Sequence, residues 1–526
     1  MTNEVFFSND AAIKMKEGID IGAKSVAVTL GYGGRTVYSK KKGHKADATK
    51  DGVSVITSIQ KLSDPLQDMG LDLIKEVSTR VAYLVGDGTS TVTVLFREMV
   101  ELGLKMKQAG ANPMQLKKGM EKALDAIIST VDSIKKDVGN DRKLLKQIAT
   151  VSANNDKEIG DYIGGIYEKL GKTASVQVED ANSPHTSVEL VKGYQIDEGF
   201  YSEYFINTDK NTCELLNPYI LIVDGKLEAT NHVFPILEKV IAEGRSIAII
   251  ADDYSHNVAA DILKNVKGKK LNAYLIKNNF TGGTKDELLF DICAVTGATL
   301  ITPKTGKKIE NIDTSFLGQC EKIVSKKTET TIYNGKLNQK EVNLRIDEVN
   351  KKIASAKNTF LKEKYEFRLA KLSGTLAIYY VGGYTQTEIK EKMDRIDDAL
   401  KATRAAILGG VVSGGGTALI RCIDAISKLK YDNDDEKSGI RLVQKSIEKP
   451  LFQIASNCGK SGELMVEKVK EKSGNLGYNA KTDKIEDLIK SGIVDPAKVV
   501  KTCAEVAISG AAQFLISECA IIEVEN

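Results

Sequence analysis

Histidine and paired cysteine are scarce in this chain: four histidines lie scattered through 526 residues, and the seven cysteines (Cys213, Cys293, Cys320, Cys422, Cys458, Cys503 and Cys519) include no CxxC pair. That spacing argues against a zinc site, and an odd, dispersed set argues against a disulfide framework and for a reducing compartment. A surplus of either charge is missing too. With 74 Lys+Arg against 71 Asp+Glu and no basic block interleaved with aromatics, nucleic acid is not an expected partner. No apolar stretch reads as long enough to span a bilayer. The start, Met1-Thr2-Asn3-Glu4-Val5-Phe6-Phe7, has neither a basic segment nor a long apolar one, so the expectation is a soluble cytoplasmic protein without a membrane partner. Two familiar phosphate signatures are also absent. The nearest approach to a P-loop, Gly165 to Gly171-Lys172-Thr173, has one residue too many between its glycines and lies in a helical pattern, and no GxGxxG follows a strand-like segment.

What is present is length and a change of periodicity. A chain of this size exceeds what one hydrophobic core serves, which predicts roughly two to four domains. The first third is helical, as in Leu71, Ile74, Val77 and then Val92, Leu95, Phe96, Met99, with a further helix from Met114 to Ile134 and a polar breaker at Gly139-Asn140-Asp141. Between about 217 and 302, apolar runs at Tyr219 to Val223, Ile247 to Ala251, Leu271 to Ile276 and Thr299 to Ile301 alternate with amphipathic stretches, the pattern of a mostly parallel α/β layer. Val342, Ile346, Val349 and Ile353 mark an amphipathic helix paired with one beginning near Thr359, and from Thr387 through Ile407 the chain is helical again.

Chemistry concentrates in short turns. Gly86-Asp87-Gly88-Thr89-Ser90-Thr91 runs straight into a helix, where unpaired N–H groups and the positive dipole end suit an anion and Asp87 suits an accompanying Mg²⁺. Hydroxyl residues also cap helices, so this turn alone decides nothing. The turn Thr29-Leu30-Gly31-Tyr32-Gly33-Gly34-Arg35 reads first as a helix C-cap. The triple glycine Gly414-Gly415-Gly416 has buried-looking flanks, which favours close approach to a ligand over a flexible linker. Asp51 and Asp398 are a turn residue and a helix-face charge when taken singly. Phosphoryl transfer to water needs a metal-binding carboxylate and a second group that orients or deprotonates the water, but spacing alone cannot bring Asp51, Asp87 and Asp398 together.

The joint order of Thr29-Leu30-Gly31, Lys50-Asp51-Gly52-Val53-Ser54-Val55, Gly86-Asp87-Gly88-Thr89 and Gly414-Gly415-Gly416 resembles the group I chaperonins, the GroE-type large subunit. Ser152-Ala153-Asn154, Asp398-Ala399-Leu400-Lys401-Ala402-Thr403-Arg404, Gly477-Tyr478-Asn479-Ala480 and Gly492-Ile493-Val494-Asp495-Pro496 extend the likeness almost to the end of the chain. The resemblance implies a multidomain α+β chaperonin fold. A mostly helical equatorial ATPase domain would comprise 1-134 and 409-526, a small α/β intermediate hinge domain 135-191 and 377-408, and an α/β apical domain 192-376. It implies ATP, Mg²⁺ and K⁺ as ligands. Asp87 would hold Mg²⁺, while Thr29 and Lys50 would help bind K⁺. Leu30, Gly31, Gly88, Thr89, Ser90, Thr91 and Gly415 would hold the nucleotide, with Asn479, Ala480, Ile493 and Asp495 around its base and ribose. Asp398, helped by Asp51, would orient or deprotonate the hydrolytic water.

The same resemblance implies an apical surface for non-native polypeptides, built from Phe200, Tyr204, Phe205, Phe234, Leu237 and Leu263, and self-assembly into a sevenfold ring, single or double, with or without a co-chaperonin. The other reading is a chaperonin-fold scaffold or holdase ring without productive cycling. This sequence departs from the family in places. Tyr32 and Gly33 replace a proline and a lysine, which predicts a looser phosphate-facing turn, and Lys481 replaces an alanine. Ala259 and Lys264 replace larger or apolar groove residues, which predicts a shifted client preference. Phe452, Ser461 and Glu463 replace charged or polar ring-contact residues, and the sequence ends at Asn526 without a Gly-Met-rich tail.

Overall fold

Reciprocal glycines set the helical part of the molecule. A Cβ on Gly18 would stand 1.8 Å from the Gln67 carbonyl oxygen and one on Gly70 would stand 1.8 Å from that of Met15, so helices Ser8–Ala27 and Pro65–Val85 cross backbone to backbone. Gly119 and Gly439 do the same for Pro113–Ile134 and Asp434–Ser446, at 2.0 and 2.1 Å from the carbonyls of Glu436 and Leu116. Asp64 and Asn112 cap two of these helices, each with proline at the first helical position, where a missing N–H costs nothing. The computed structural model describes residues 2–40, 47–139, 141–153, 156–171, 174–181, 183–209, 211–279, 283–303, 309–356 and 359–524. Asn140, Asn154, Lys172 and Thr173, used in the sequence reading, lie outside them.

The chain forms two compact units, one from Met1–Glu168 with Thr385–Asn526 and the other from Lys169–Tyr384. In the first, helices from both chain ends share one core, with Ile74, Phe96, Met99 and Met120 against Leu442, Cys503, Ala507 and Leu515. Strand Thr2–Phe7 pairs antiparallel with Cys519–Val524, tying the ends together. Helix Ala497–Ile516 corrects one sequence expectation: it has 20 residues, and an 18-residue stretch of it, with a mean hydropathy of 1.4, is long and apolar enough to cross a membrane by length and composition, while 61% of that stretch is buried inside the fold. Its alanines explain that character, because Ala504, Ala507, Ala511 and Ala512 let neighbouring helices approach closely at the centre of the core.

The second unit contains the expected α/β layer. Strands Ala273–Lys277, Ile247–Ala251 and Tyr219–Ile222 are parallel neighbours, and Gly318–Gln319 adds an antiparallel edge. Helices Thr230–Ala242, His256–Lys267 and Gly283–Thr296 connect and cover them. The expected strand at Thr299 to Ile301 is reduced to a single bridge between Ile301 and Val223. A six-stranded sheet, in the order Ser175–Asp180, Thr375–Val381, Ser187–Ile196, Thr330–Tyr333, Lys322–Ser325, Cys213–Leu216, escaped the sequence reading. The helix pair appears as Gln339–Ser355 and Thr359–Leu372.

Candidate functional site

The turn between two long helices of the first unit is built for small residues. Helix Pro65–Val85 stops at Gly86 (φ 75°) and helix Thr89–Gln108 starts from Gly88 (φ 87°), both left-handed. Space enforces the same choice, since a Cβ on Gly86 would meet the Lys401 side chain at 2.3 Å and one on Gly88 would meet Cys503 Sγ at 2.5 Å. Among the described residues no side chain caps the second helix. Its first backbone bond runs from Val92 N–H to the Gly88 carbonyl at 2.9 Å, which leaves the N–H groups of Thr89, Ser90 and Thr91 outside the ladder. Such a helix start is an anion site.

Other segments close around it. Asp51 caps helix Gly52–Ser58 by accepting from Val53 N–H at 3.3 Å and Ser54 N–H at 2.8 Å. A Cβ on Gly52 would lie 2.7 Å from both Thr89 Oγ1 and Ser90 Oγ, so the two helix starts abut. Thr29 Oγ1 and Ser90 Oγ are 3.1 Å apart, which joins the Thr29 turn to the same spot. That turn is braced by Gly34 N–H to the Gly31 carbonyl at 2.9 Å and by Asn457 Nδ2, which donates to the Ala27 and Leu30 carbonyls at 2.9 and 2.8 Å. These bonds offset the loosening expected from the missing proline. Gly33 backs onto Asn457 and Cys458, where any Cβ would come within 2.7 Å, so a lysine there would need the segments to part.

Strands Val411–Ser413 and Val494–Pro496 pair antiparallel and bring the triple glycine beside Ile493 and Asp495, with Gly414 N–H donating to the Ile493 carbonyl at 3.0 Å. Gly415 (φ 62°) has only the Tyr478 carbonyl oxygen, 3.8 Å away, where a Cβ would point. Asn479 is committed to its own hairpin, its Oδ1 accepting from Lys481 and Thr482 N–H at 2.9 and 3.3 Å while its Nδ2 donates to Glu486.

A cavity of about 1440 Å³ lies among these segments. Thr29, Leu30, Gly31, Lys50, Asp51, Asp87, Gly88, Thr89, Ser90, Thr91, Asp398, Gly415, Asn479, Ala480, Ile493 and Asp495 all line it. Asp398 reaches it from helix Gln386–Gly409, and Lys401 lies one turn further along that face. Sequence reading missed Lys401 as a site residue, although its i+3 spacing from Asp398 was a usable signal. Ser152, whose hydroxyl donates to Asp87, was quoted only as part of a motif.

Burial and neighbouring negative charge raise three of these carboxyls, Asp87, Asp398 and Asp495. Burial, then the charges of Asp51 and Asp87, push the Asp398 carboxyl up to about 8, with Lys401 opposing. Burial, then Asp87, pushes Asp495 up to about 7. Asp87 itself is raised by burial and by Asp51, although Gly88 N–H donates to its Oδ1 at 2.5 Å. Lys50, Lys390 and Lys401 line the same cavity, yet Asp398 stays raised by the charges of Asp51 and Asp87, a repulsion that a cation between these carboxylates would relieve. Among the described residues no three His, Cys, Asp or Glu side chains form a metal cage. A hard divalent ion here would therefore take ligand and water oxygens to complete its shell, the usual arrangement for Mg²⁺ with phosphates.

The second unit holds the other expected residues. Phe205 and Leu237, 3% and 1% exposed, pack in its core and correct the expectation of surface contact for those two. Their depth follows from packing: both join the cluster beneath helices Thr230–Ala242 and His256–Lys267. Tyr204 is 72% exposed, while Phe200, Phe234 and Leu263 are half-buried.

A helical unit made from both chain ends, an α/β unit inserted between them and a large cavity within the helical part together make up the chaperonin fold. The model of the TCP-1/cpn60 chaperonin family matches residues 23–525, and the chain belongs to that family. Among solved structures it is similar to the chaperonin gp146 from the bacteriophage EL 2 (Pseudomonas aeruginosa), crystallised in the presence of ATP-BeFx. One crystal form gives a TM-score of 0.79 at 19% identity and a second gives 0.69 at 18%, each covering 99% of both chains.

Proposed function

We propose that this chain is an ATP-hydrolysing chaperonin subunit of the group I type, which binds non-native polypeptides and promotes their folding through nucleotide-driven domain movement. The observation that carries this reading is the convergence of Asp51, Asp87, Asp398 and Asp495, from four separate segments, on one cavity that also holds an uncapped helix start. When bound, MgATP supplies the transferable phosphoryl group and the cation that balances its charge. The N–H groups of Thr89 to Thr91 bind and orient phosphate oxygens. Asp87 is the Mg²⁺ ligand, and the oxygens of Thr29 and Lys50 suit K⁺. Asp398 orients the attacking water and takes its proton at the carboxylate, and Asp51 holds the helix start opposite. Gly415, Asn479, Ala480, Ile493 and Asp495 wall the base and ribose.

The catalytic helix begins one residue after Thr385, the first residue past the inserted unit, and Thr385 Oγ1 caps it at 3.2 Å from Glu388 N–H. In the three-domain division 1-134 with 409-526, 135-191 with 377-408, and 192-376, this helix belongs to the hinge, so hydrolysis requires the hinge to close on the nucleotide. Differential affinity of nucleotide for the closed form then drives the client surface. Ring assembly, sevenfold and cytoplasmic, completes the machine. The test is steady-state ATPase with Mg²⁺ and K⁺ withheld in turn. Turnover that needs both ions supports the reading, whereas tight nucleotide binding with no hydrolysis under any ion condition replaces it with the scaffold.

A further inference from the structure

Beside the exposed Tyr204 ring, the α/β unit carries lysines that its own acids leave alone. Lys264, Lys267, Lys269 and Lys270 are exposed, and among the described residues none has a carboxylate partner. The Lys267 ammonium lies 5.0 Å from the centroid of the Tyr204 ring, so the charge and the ring's exposed face form one feature. Neighbouring acids are engaged elsewhere: Asp261 accepts from Thr230 Oγ1 at 3.0 Å, and Glu203 pairs with Lys327 at 3.4 Å. The helix dipole accounts for Lys264 and Lys267 in the last turn of His256–Lys267. It does not account for Lys269 and Lys270 beyond it. Lys269 is moreover held at φ 56°, where glycine sits with less strain.

We infer that this surface selects polypeptide segments in which acidic residues flank the apolar ones, an inference that rests on the client-binding reading above. Leu263 lies one turn before Lys267 on the helix that Tyr204 adjoins, so an extended client segment with apolar side chains on Tyr204 and Leu263, rising about 3.3 Å per residue, brings its flanking residues to the lysines. Opposite charge there adds to capture and discriminates against basic segments. Single-stranded nucleic acid would also meet the lysines, but it needs a series of exposed aromatic platforms. Among the described residues beside these lysines Tyr204 is the aromatic that is mostly exposed, and half-buried Phe234 and Leu263 suit apolar side chains better than bases.

The experiment measures fluorescence anisotropy of the full chain, free of nucleotide, with three peptides that share one apolar sequence and carry acidic, neutral or basic flanks, at 50 and 500 mM KCl. The acidic peptide is expected to bind about 10-fold or more tightly than the basic one at low salt, with the gap shrinking at high salt as screening grows. Lys264→Glu/Lys267→Glu/Lys269→Glu/Lys270→Glu reverses the order. Lys264→Gln/Lys267→Gln narrows the gap and serves if the fourfold variant does not fold. Tyr204→Ala weakens all three peptides alike. Equal binding of the acidic and basic peptides overturns the inference and leaves the client surface standing, whereas no binding of any peptide overturns the client reading itself. Displacement of the acidic peptide by a single-stranded oligonucleotide of higher affinity overturns it in favour of nucleic acid.

Discussion

The cavity of the helical unit and the lysine-edged surface of the α/β unit are built by opposite means. In the cavity, backbone decides: glycines at 86, 88 and 415 in left-handed conformation, helix starts placed tip to tip, and a strand pair that delivers Asp495. On the surface, side chains decide, and the backbone beneath is an ordinary helix on a parallel sheet. A backbone-built site tolerates few substitutions and is marked by motifs. A side-chain surface drifts freely and leaves only composition behind. Substitutions should therefore act on chemistry in the first region and on stability or affinity in the second.

The largest expected effect tests the first half of that contrast. Asp398→Ala should keep ATP binding and lower turnover by about 10²–10⁴-fold, the range for a general base. Single-turnover hydrolysis alongside equilibrium nucleotide binding checks it, and an equal loss of both would remove Asp398 from the chemistry. Next in size, Leu237→Ala should destabilise the α/β unit by about 2–5 kcal/mol, because it deletes a core side chain that is 1% exposed. Tyr204→Ala should stay within about 0.5 kcal/mol. Urea unfolding of both variants separates core from surface, and similar values for the two would erase the distinction drawn here.

How much of this was legible in the sequence follows the same divide. Every residue assigned to the nucleotide lines the cavity, because Gly86-Asp87-Gly88-Thr89 and its companions fix backbone geometry that little else satisfies. The parallel strands were visible as unbroken apolar runs such as Ile247–Ala251, which is buried throughout. The six-stranded sheet was not, since Ser187–Ile196 is largely exposed along its first half and pairs with strands far away in the chain. Phe205 and Leu237 were misplaced for a related reason: periodicity shows which residues are apolar, not whether a second layer covers them. Helix Ala497–Ile516 was passed over as a possible membrane span because its alanines do not form a conspicuous run and Lys498, Lys501 and Glu505 interrupt its first half, although an 18-residue stretch of it is apolar enough.

A smaller effect probes Lys401. Its stem packs over Gly86, and its charge opposes the upward push on Asp398. Lys401→Met keeps the packing and removes the charge, so turnover at neutral pH should fall about 10-fold while thermal stability holds. Lys401→Arg should restore most of the rate. A loss that Arg fails to rescue would make the residue a packing element only.

The smallest expected effect concerns stability against pH. The Asp398 carboxyl stands at about 8 in the fold against 3.8 ordinarily, so between those values the native chain holds a proton that the unfolded chain has released. Stability from this group is complete below the lower value and is lost as pH rises through the upper one. Asp398→Asn stays neutral throughout and escapes that loss. The variant should therefore melt higher than the parent at pH 8 without nucleotide, by about 1–2 °C for roughly 1 kcal/mol, with the difference fading towards pH 5. Added Mg²⁺ supplies the missing positive charge and should shrink the gap at pH 8. Paired melting curves across pH, with and without Mg²⁺, check both statements. A difference that grows on acidification would mean that Asp398 is held ionised by a partner in the fold, the reverse of the charge balance described for the cavity.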